Sequence, residues 1–383
     1  MVVFGTRPEA IKMAPVVLAL CESAVLEPVV VVTAQHRGML DQVLDLFDIK
    51  PDFDLDIIRE GQTLTGVTLA ALGGLSPLVE SEAPAALLVQ GDTTTTLTAA
   101  LAAFYHRVPV VHLEAGLRTG DRLSPYPEEV NRRLTSQLSS LHLAPTSAAR
   151  ANLVAENVAE SSILVTGNTV IDALLWTVDR RLAYGDPSLD DLDDLDDLDD
   201  GGNRRVLLVT AHRRESWGVP MDAIGQALAE IATAEPDLVV VFPIHANPVV
   251  RHSILPAVKG LANVRVVEPL AYGGFARLMV RSHLILTDSG GIQEEGPSLG
   301  KPVLVMRDKT ERPEGVSAGT VRLVGTRRLD IVTAVSQLLH EPGAYAAMAN
   351  AVNPYGDGRA ALRSVAAVAH LLGEGPPPDE FEA

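Results

Sequence analysis

The chain alternates short runs of β-branched and other apolar residues with longer segments of helical periodicity, and this alternation occurs twice along its 383 residues. Short strands separated by amphipathic helices are typical of βαβ units, in which parallel strands form a central sheet covered by helices on both faces. A chain of this length exceeds the usual size of a single core. The sequence therefore predicts an α/β protein with two Rossmann-like, doubly wound parallel-sheet domains.

Strands are predicted at residues 2–4, 29–33, 86–90, 108–113, 141–144 and 163–166, and again at 206–210, 238–242, 264–267, 284–287, 303–306 and 321–323. After the first strand, Ala10, Met13, Ala14 and Val17 follow the i, i+3, i+4, i+7 spacing of a helix with one buried face. The first domain is expected to cover residues 1–167, and a C-terminal helix at about 356–373 is expected to pack back on it. The second domain is expected to cover residues 168–355.

The triplet Leu-Asp-Asp is repeated four times at residues 189–200. A calcium site is a weak interpretation, since the repeat lacks the glycine and glutamate of a calcium-binding hand. Closely spaced like charges repel one another, which predicts a disordered acidic linker or loop over residues 186–203. Residues 374–383 include three consecutive prolines and are predicted to form a frayed tail.

The composition excludes several classes of partner. The formal net charge is −18, and eight of the aspartates lie in the acidic repeat, so the remainder of the chain is still acidic. No basic stripe is available to neutralise the phosphates of a nucleic acid. Aromatic residues make up 4% of the chain, which disfavours a surface for stacking single-stranded bases. A small phosphorylated ligand is compatible with this negative net charge, because salt screens charges that lie more than about 8 Å away.

The cysteine content, the apolar runs and the N-terminal charges indicate the cellular compartment of the protein. Cys21 is the single cysteine, so a disulfide framework and a cysteine-based zinc site are excluded. The apolar run 14–34 contains Glu22, Glu27 and Pro28 and is too polar for a membrane span. Charges at positions 7, 9 and 12 are unlike a secretory signal. We therefore expect a soluble cytoplasmic protein without a membrane partner.

In doubly wound folds, ligands bind beyond the carboxyl ends of the strands. Arg7 and Lys12 follow the first predicted strand at a helix start, where backbone N–H groups and two cations suit a phosphate. Solvated charges at a surface helix are the alternative. Asp92 follows the strand at 86–90 and is either a catalytic carboxylate or a helix N-cap.

Two further acidic residues are candidates for proton transfer. Alternation along the strand at 108–113 predicts that His112 and Glu114 share one face, near Asp92. Glu128 begins an amphipathic helix, where a carboxylate usually just compensates the helix dipole. If the three carboxylates converge, mutual repulsion raises the pKa of at least one of them. Such a cluster provides both a proton donor and a proton acceptor at neutral pH.

The second half carries candidates for binding phosphate. His212 ends a strand and is followed by Arg213 and Arg214, a pattern that suits a leaving phosphate, although a lone histidine there is more often structural. In the segment 287–295, Ser289 is expected to cap a helix, and the two glycines after it allow backbone amides to approach a diphosphate. Glu295 on that helix is expected to accept hydrogen bonds from ribose hydroxyls. The Gly-x-Gly-x-x-Gly fingerprint of dinucleotide binding is absent despite the Rossmann-like layout.

Taken together, these segments closely resemble the non-hydrolysing UDP-N-acetylglucosamine 2-epimerase family. The likeness extends from Phe4 to about Gly358 and leaves out the acidic repeat. It is carried by FGTRPEAIKMAP, TAQHRGMLDQVL, GDTTTTL, HLEAGLRTGD, SPYPEEVNRRLT, TGNTVIDALL, TAHRRES, DSGGIQEEGPSLGKPVLVMRDKTERPEGV and NPYGDGRA.

The resemblance implies a glycosyltransferase-B-like fold with the active site in a cleft between the two domains, a homodimer, and no metal or cofactor. The catalytic positions that it implies are Asp92, Glu114, Glu128 and His212. The nucleotide-sugar contacts that it implies, with Arg213 beside them, are Arg7, Lys12, Phe275, Ser289, Gly290, Gly291, Glu295 and Arg312. A possible activator site, where some members bind a second substrate molecule, corresponds to Gln35, His36, Arg37 and His245.

The implied reaction inverts carbon 2 of UDP-N-acetylglucosamine to give UDP-N-acetylmannosamine. The hydrogen on that carbon is barely acidic, so the expected route eliminates UDP to 2-acetamidoglucal and then adds it back. Which carboxylate acts as base stays open at this stage. The alternatives are a hydrolysing epimerase that frees N-acetylmannosamine and UDP, a glycosyltransferase on the same fold, and a catalytically idle nucleotide-sugar sensor.

Overall fold

The computed structural model describes residues 1–34, 37–59, 61–194 and 204–382, and the side chain of Arg37 lies outside this description. The chain forms two α/β units. Unit 1 comprises Met1–Ala173 and Tyr355–Ala383, and unit 2 comprises Leu174–Pro354. Each unit has one sheet in which every strand pair is parallel. The predicted fold class, two Rossmann-like units with doubly wound parallel sheets, is confirmed.

Unit 1 is built on a seven-stranded sheet. Its strands are β1 (Val2–Phe4), β2 (Val30–Val32), β3 (Phe53–Asp54), β4 (Leu87–Gln90), β5 (Val110–Leu113), β6 (Leu141–Ala144) and β7 (Ile163–Val165). Its helices are α1 (Arg7–Cys21), α2 (Arg37–Leu46), α3 (Leu64–Glu82), α4 (Thr94–Tyr105), α5 (Glu128–Leu138), α6 (Ser147–Ala155), the start of α7 (Thr169–Asp179), and α15 (Ala360–Leu371). The sheet order is β3-β2-β1-β4-β5-β6-β7, so the winding reverses between β1 and β4.

Unit 2 is built on a six-stranded sheet. Its strands are β8 (Val206–Thr210), β9 (Val239–Pro243), β10 (Val264–Val267), β11 (Leu284–Thr287), β12 (Val303–Val305) and β13 (Val321–Leu323). Its helices are α8 (Val219–Ala234), α9 (Pro248–Val258), α10 (Tyr272–Arg281), α11 (Gly290–Ser298), α12 (Pro313–Ser317), α13 (Arg328–His340) and α14 (Pro342–Ala349). The order β10-β9-β8-β11-β12-β13 reverses between β8 and β11. Strand residues alternate between two buried cores, one on each face of this sheet.

The predicted strands agree with the observed ones to within a few residues, and one strand was missed. The missed strand, β3, is only two residues long and pairs with β2 at the edge of the sheet. A run of two residues carries no periodicity that could indicate a strand.

By length and composition, α3 is the one helix among the described residues that could cross a membrane. In unit 1 it buries Val67, Ala71, Leu75 and Val79, which recur at i, i+4 spacing and face the core. Its exposed side contains Leu69, which is 67% exposed.

The first part of the acidic repeat differs from the disordered loop that the charge pattern predicted. Residues Pro187–Leu192 form a 3-10 helix, and Leu189 and Leu192 are buried in one of the cores of unit 2. Asp191 pairs with Arg265, and Asp193 pairs with Arg277. The prediction was wrong here because the leucines at i, i+3 bury apolar surface while the aspartates find arginine partners. Residues 195–203 lie outside the described residues.

The C-terminal segment also differs from the expected frayed tail. Helix α15 lies in unit 1, where the amides of Ala360 and Ala361 donate to the carboxylate of Asp172. Beyond it, Phe381 is only 9% exposed, and its amide donates to the carbonyl of Val165 at 2.8 Å. Burial of one aromatic ring holds this segment, which the proline content alone did not reveal.

Candidate active site

Glu9 connects two loops that follow β1 and β4 in unit 1. Its Oε2 accepts from the amides of Gly5 at 3.0 Å and Thr6 at 2.7 Å, and its Oε1 accepts from the hydroxyls of Thr93 at 2.7 Å and Thr96 at 3.1 Å. Glu9 is 2% exposed, and burial raises its pKa against the effect of these hydrogen bonds. The sequence analysis missed this role. The signal was the capping-box spacing, with threonine at position 6 and glutamate at position 9.

Glu9→Gln is expected to lower the free energy of unfolding by about 1–3 kcal/mol. The carboxamide has only one oxygen, so its NH₂ group would face either two backbone amides or two hydroxyls that already donate hydrogen bonds. Urea denaturation of the wild type and of the variant measures the difference. Glu22→Gln, at an exposed position after α1, is the matched control and should leave the midpoint unchanged. Equal midpoints for Glu9→Gln and the wild type would contradict the role of Glu9.

Glu114 lies directly after β5 and is held by three neighbours. Lys12 forms an ion pair with its Oε1, which also accepts from Asn168 Nδ2 at 3.0 Å, and Gln90 Nε2 donates to its Oε2 at 2.5 Å. The side chain of Glu114 is 7% exposed. These contacts gather residues from α1, β4 and the start of α7 around one carboxylate.

The backbone at Glu114 changes the expected side-chain direction. Its φ of +61° lies in the left-handed region, which is uncommon for a residue with a Cβ. The strand alternation that was expected to place His112 and Glu114 on one face therefore ends at Leu113. His112 itself is fully buried, its Nε2 lies 2.8 Å from the carbonyl of Gly91, and burial lowers its pKa to about 3. His112 thus packs under the loop that carries Asp92.

Asp92 and Glu128 are linked through α5. Arg132 of this helix forms an ion pair with Asp92, and Asn131 Nδ2 donates to the Asp92 carbonyl at 3.0 Å. Glu128 is half-buried at the first position of α5, and the i, i+4 spacing places it on the same side of the helix as Arg132. The N-cap of α4 is Thr93 rather than Asp92, so the Asp92 side chain is not used for capping.

The structure places a cation beside two of the three predicted catalytic carboxylates. Lys12 contacts Glu114 and Arg132 contacts Asp92. The sequence-based interpretation considered only the mutual repulsion of the three carboxylates. The two ion pairs add an attractive interaction with a nearby cation. Arg7 is half-buried at the start of α1, where its side chain makes no hydrogen bond within the described part of the chain.

In unit 2, Asp288 orients His212. Its Oδ2 accepts from the amides of His212 at 2.7 Å and Arg213 at 2.8 Å, and its Oδ1 lies 3.0 Å from His212 Nδ1. Asp288 is fully buried. Burial opposes its ionisation, but the His212 ring and the two backbone amides hold the pKa of Asp288 below its ordinary value. A carboxylate on one ring nitrogen fixes the imidazole and leaves the other nitrogen for a ligand.

The first turn of α11 follows Ser289 and begins with Gly290 and Gly291. Ser289 occupies the N-cap position, but its hydroxyl makes no cap hydrogen bond, contrary to the expectation of a side-chain cap. Thr287 Oγ1 accepts from the Ser289 amide at 2.9 Å and stabilises the turn before the helix. A Cβ at Gly290 would lie 2.5 Å from Arg312 Nη1, so only glycine allows this guanidinium to approach the helix start.

Three arginines surround Glu311 near this helix. Arg213 Nη2 and Arg312 Nη1 contact its Oε1 at 3.2 Å and 2.9 Å, and Arg307 Nη1 contacts its Oε2 at 2.8 Å. Burial by itself would raise the pKa of Glu311, but Arg312, Arg307 and Arg213 lower it to about 2. Arg312 is also paired with the buried Glu294. Clustered guanidinium groups of this kind are suited to a diphosphate.

The comparisons with known proteins show the family of this chain. A family model described as UDP-N-acetylglucosamine 2-epimerase matches residues 18–369. A Yersinia pestis protein named UDP-N-acetylglucosamine 2-epimerase is 56% identical over 366 residues, which is 96% of this chain and 97% of its own length. An Escherichia coli K12 protein of the same name is 54% identical over 375 residues, covering 96% of this chain and 97% of its own. This chain belongs to the UDP-N-acetylglucosamine 2-epimerase family.

A solved structure of the same family supports this assignment. The UDP-GlcNAc 2-epimerase from Neisseria meningitidis, whose crystal structure is bound to UDP-GlcNAc, is 48% identical and superposes with a TM-score of 0.85. The match covers 97% of this chain and 99% of that one. Both sheets of this epimerase-family chain therefore have a counterpart in a ligand-bound relative.

Other predicted contacts of this epimerase-family member lie on α10 and α11. Glu295 Oε1 accepts from the hydroxyl of Tyr272 at 2.8 Å, and Glu295 is 7% exposed. Phe275 is half-buried one turn further along α10 and packs against the core. Tyr272 was not singled out from the sequence, because a lone tyrosine in an apolar helix is usually a core residue.

The candidate activator residues are only partly described. Gln35 and His36 lie outside the described residues, and Arg37 begins α2. His245 follows β9, and its ring stacks on His212 with 5.8 Å between centroids. Burial and the neighbouring His212 lower the pKa of His245. Across the described ranges, no three His, Cys, Asp or Glu side chains come together as a metal-ligand set.

Proposed function

We propose that this protein catalyses the reversible epimerisation of UDP-N-acetylglucosamine to UDP-N-acetylmannosamine, with elimination of UDP and its re-addition. Family membership supports the substrate, and the Neisseria meningitidis relative is described as bound to UDP-GlcNAc. The observation that carries the proposal is the fixed geometry of Asp92 and Glu114, which follow the neighbouring strands β4 and β5.

In the first step a carboxylate removes the hydrogen on carbon 2 while the bond between carbon 1 and the UDP oxygen breaks. The products are UDP and 2-acetamidoglucal, whose double bond between carbons 1 and 2 erases the stereocentre. In the second step a proton is delivered to the other face of carbon 2, and the UDP oxygen adds back to carbon 1. No net oxidation occurs, so the route needs no nicotinamide.

Asp92, Glu114 and Glu128 are proposed to supply the base and the acid. Proton transfer on opposite faces of one carbon requires two groups in different positions. Glu114 is held by Lys12, Gln90 and Asn168, so its orientation is fixed before substrate binds. Arg132 of α5 contacts Asp92, and Glu128 lies one turn before Arg132 on the same helix. General acid–base catalysis by such groups contributes about 10²–10⁴-fold.

His212 and the arginines are proposed to bind the diphosphate and to stabilise the charge that develops as UDP departs. The first turn of α11 carries backbone amides without intrahelical acceptors, and Arg213 and Arg312 add guanidinium groups. Glu311 contacts both guanidinium groups and orients them before the ligand arrives. Preorganised donors at a developing negative charge contribute about 3–4 kcal/mol each.

Deuterium incorporation tests the chemistry. When UDP-N-acetylglucosamine is incubated with the enzyme in deuterium oxide, the UDP-N-acetylmannosamine formed should carry deuterium at carbon 2. The measurement is proton NMR of the product together with its mass. Epimerised product that retains hydrogen at carbon 2 would exclude the elimination and re-addition scheme.

The same spectra separate the alternatives. Free N-acetylmannosamine and UDP would indicate a hydrolysing epimerase. Turnover that appears only after a sugar acceptor is added would indicate a glycosyltransferase. UDP binding without turnover would indicate a nucleotide-sugar sensor.

We also propose that the chain forms a homodimer through the outer faces of α3, α4 and α5. These helices carry large apolar side chains that are exposed in the single chain: Leu69 at 67%, Phe104 at 55%, Tyr105 at 65% and Leu134 at 48%. Apolar side chains exposed on neighbouring helices are typical of a protein interface.

The double variant Leu69→Asp, Phe104→Asp is expected to be monomeric where the wild type is a dimer, because burying two unpaired carboxylates is unfavourable. Size-exclusion chromatography with light scattering measures the mass. Val219→Asp, at an 81% exposed position on unit 2, is the control and should stay dimeric. A dimeric double variant would place the interface elsewhere.

A further inference from the structure

A cavity with several basic residues in its lining lies wholly within unit 2. Its volume is about 850 Å³. Arg205, His283 and Lys301 line it, and each lies within two residues of the amino end of a strand, respectively β8, β11 and β12. These strands are neighbours in the sheet, so the three side chains converge on one edge. Arg181, Arg277 and Arg281 complete the basic part of the lining.

This cavity is separate from the candidate diphosphate site of the same unit. His212 and Ser289 follow the carboxyl ends of β8 and β11, whereas Arg205 and His283 precede the amino ends of the same strands. A parallel strand rises about 3.3 Å per residue, so the four residues of β11 separate the two edges by roughly 13 Å. A ligand in the cavity would therefore not overlap the UDP position proposed above.

The charge at the cavity is positive although the chain is acidic overall. Burial lowers the pKa of Lys301, and the positive charge of Arg281 lowers it further. Burial, Arg205 and Lys301 lower the pKa of His283 to about 4, so its ring is neutral at physiological pH. All of these influences disfavour positive charge, which shows that the cations here repel one another in a partly desolvated place. An anionic ligand would relieve this repulsion.

The two acidic residues of the lining, Asp179 and Asp193, offset these cations only in part. Asp193 is paired with Arg277, and it also accepts from the hydroxyl of Tyr184 at 2.6 Å. Asp179 is an exposed residue near the end of α7.

Two of the arginines are oriented by backbone carbonyls. Arg281 Nε donates to the carbonyl of Leu192 at 2.6 Å, and Arg205 Nη1 donates to the carbonyl of Leu339 at 2.5 Å. A side chain that is already oriented loses less conformational entropy when a ligand binds. The basic lining is therefore preorganised.

We propose that this cavity binds a small anion that carries a diphosphate group. The guanidinium groups match the geometry of phosphate oxygens, and Lys301 adds a point charge. The volume exceeds what a single phosphate needs and is in the range of cavities that hold small ligands. Such a ligand would be independent of the substrate and would give the protein a second phosphate-responsive site.

Inorganic pyrophosphate is the probe. Arg213→Gln removes a guanidinium of the candidate diphosphate site, and isothermal titration of this variant should still give a pyrophosphate binding event. Lys301→Gln should weaken that event at least tenfold, because a charge-assisted contact is lost. Lys301→Arg should restore it to within about threefold. The matched control Lys259→Gln, at an exposed position after α9, should bind like the wild type.

Thermal unfolding of each variant shows whether the fold is intact, and Arg181→Gln, at an exposed position of the lining, provides a second variant with the same expected loss. The proposal is overturned if pyrophosphate fails to bind folded Arg213→Gln at millimolar concentration. It is equally overturned if folded Lys301→Gln and Lys259→Gln bind pyrophosphate with the same affinity.

Discussion

Glu114→Gln is expected to lower kcat for epimerisation by about 10²–10⁴-fold, the range that general acid–base catalysis contributes. Glutamine is nearly isosteric and keeps an oxygen that can accept from Asn168 or Lys12, so the local structure should persist. It cannot take or deliver the proton on carbon 2. Initial rates at saturating UDP-N-acetylglucosamine measure the effect.

Two controls make this result specific. Glu27→Gln changes an exposed glutamate of unit 1 and should leave kcat unchanged. The affinity of Glu114→Gln for UDP should stay within about twofold of the wild type, since the proposed diphosphate contacts belong to unit 2. A kcat within tenfold of the wild type would remove Glu114 from the proton-transfer step.

Asp288→Asn is expected to lower kcat by about 10²–10³-fold, the typical loss when one preorganised electrostatic group is removed. The asparagine oxygen can still accept from the amides of His212 and Arg213, so the turn after β8 should persist. Its NH₂ group would then face His212 Nδ1 and impose the other tautomer on the ring. The histidine would stay in place but present the wrong proton arrangement to the leaving diphosphate.

The readout for this variant combines kinetics with stability. Asp237→Asn, at an exposed position before β9, is the matched control and should keep full activity. Because the folded-state pKa of Asp288 is depressed, its contribution to stability is present at neutral pH and is lost as the pH falls through that pKa. The difference in unfolding free energy between the wild type and Asp288→Asn should therefore narrow toward acid pH. Unchanged kcat with altered stability would reduce Asp288 to a structural role.

The strands and the fold class were predictable because parallel strands buried on both faces leave continuous apolar runs in the sequence. For the same reason, the residues that directly follow each strand could be located in the sequence. The structure brings Lys12 to Glu114 and Arg132 to Asp92, and it brings Arg213 and Arg312 together around Glu311. Glu311 and Asp288 were not singled out, because a carboxylate buried among arginines and amides leaves no local signal in the sequence.

Two predictions failed where burial overrode composition. The acidic repeat was interpreted from its charges, but Leu189 and Leu192 are buried in unit 2. The C-terminal segment was interpreted from its prolines, but Phe381 is buried in unit 1. In both cases a few apolar side chains gain more from burial than the surrounding polar residues gain from solvation.

The sequence by itself determined the α/β class, the division into two sheets and the residue types at the strand ends, since these depend on periodicity and local chemistry. Only the tertiary structure decided which cation neutralises which carboxylate, how Asp288 orients His212, and that Arg205, His283 and Lys301 line one cavity. The pairs Lys12–Glu114, Arg132–Asp92 and His212–Asp288 join residues that are far apart in the chain, and their distances depend on strand order and register, which no local pattern encodes.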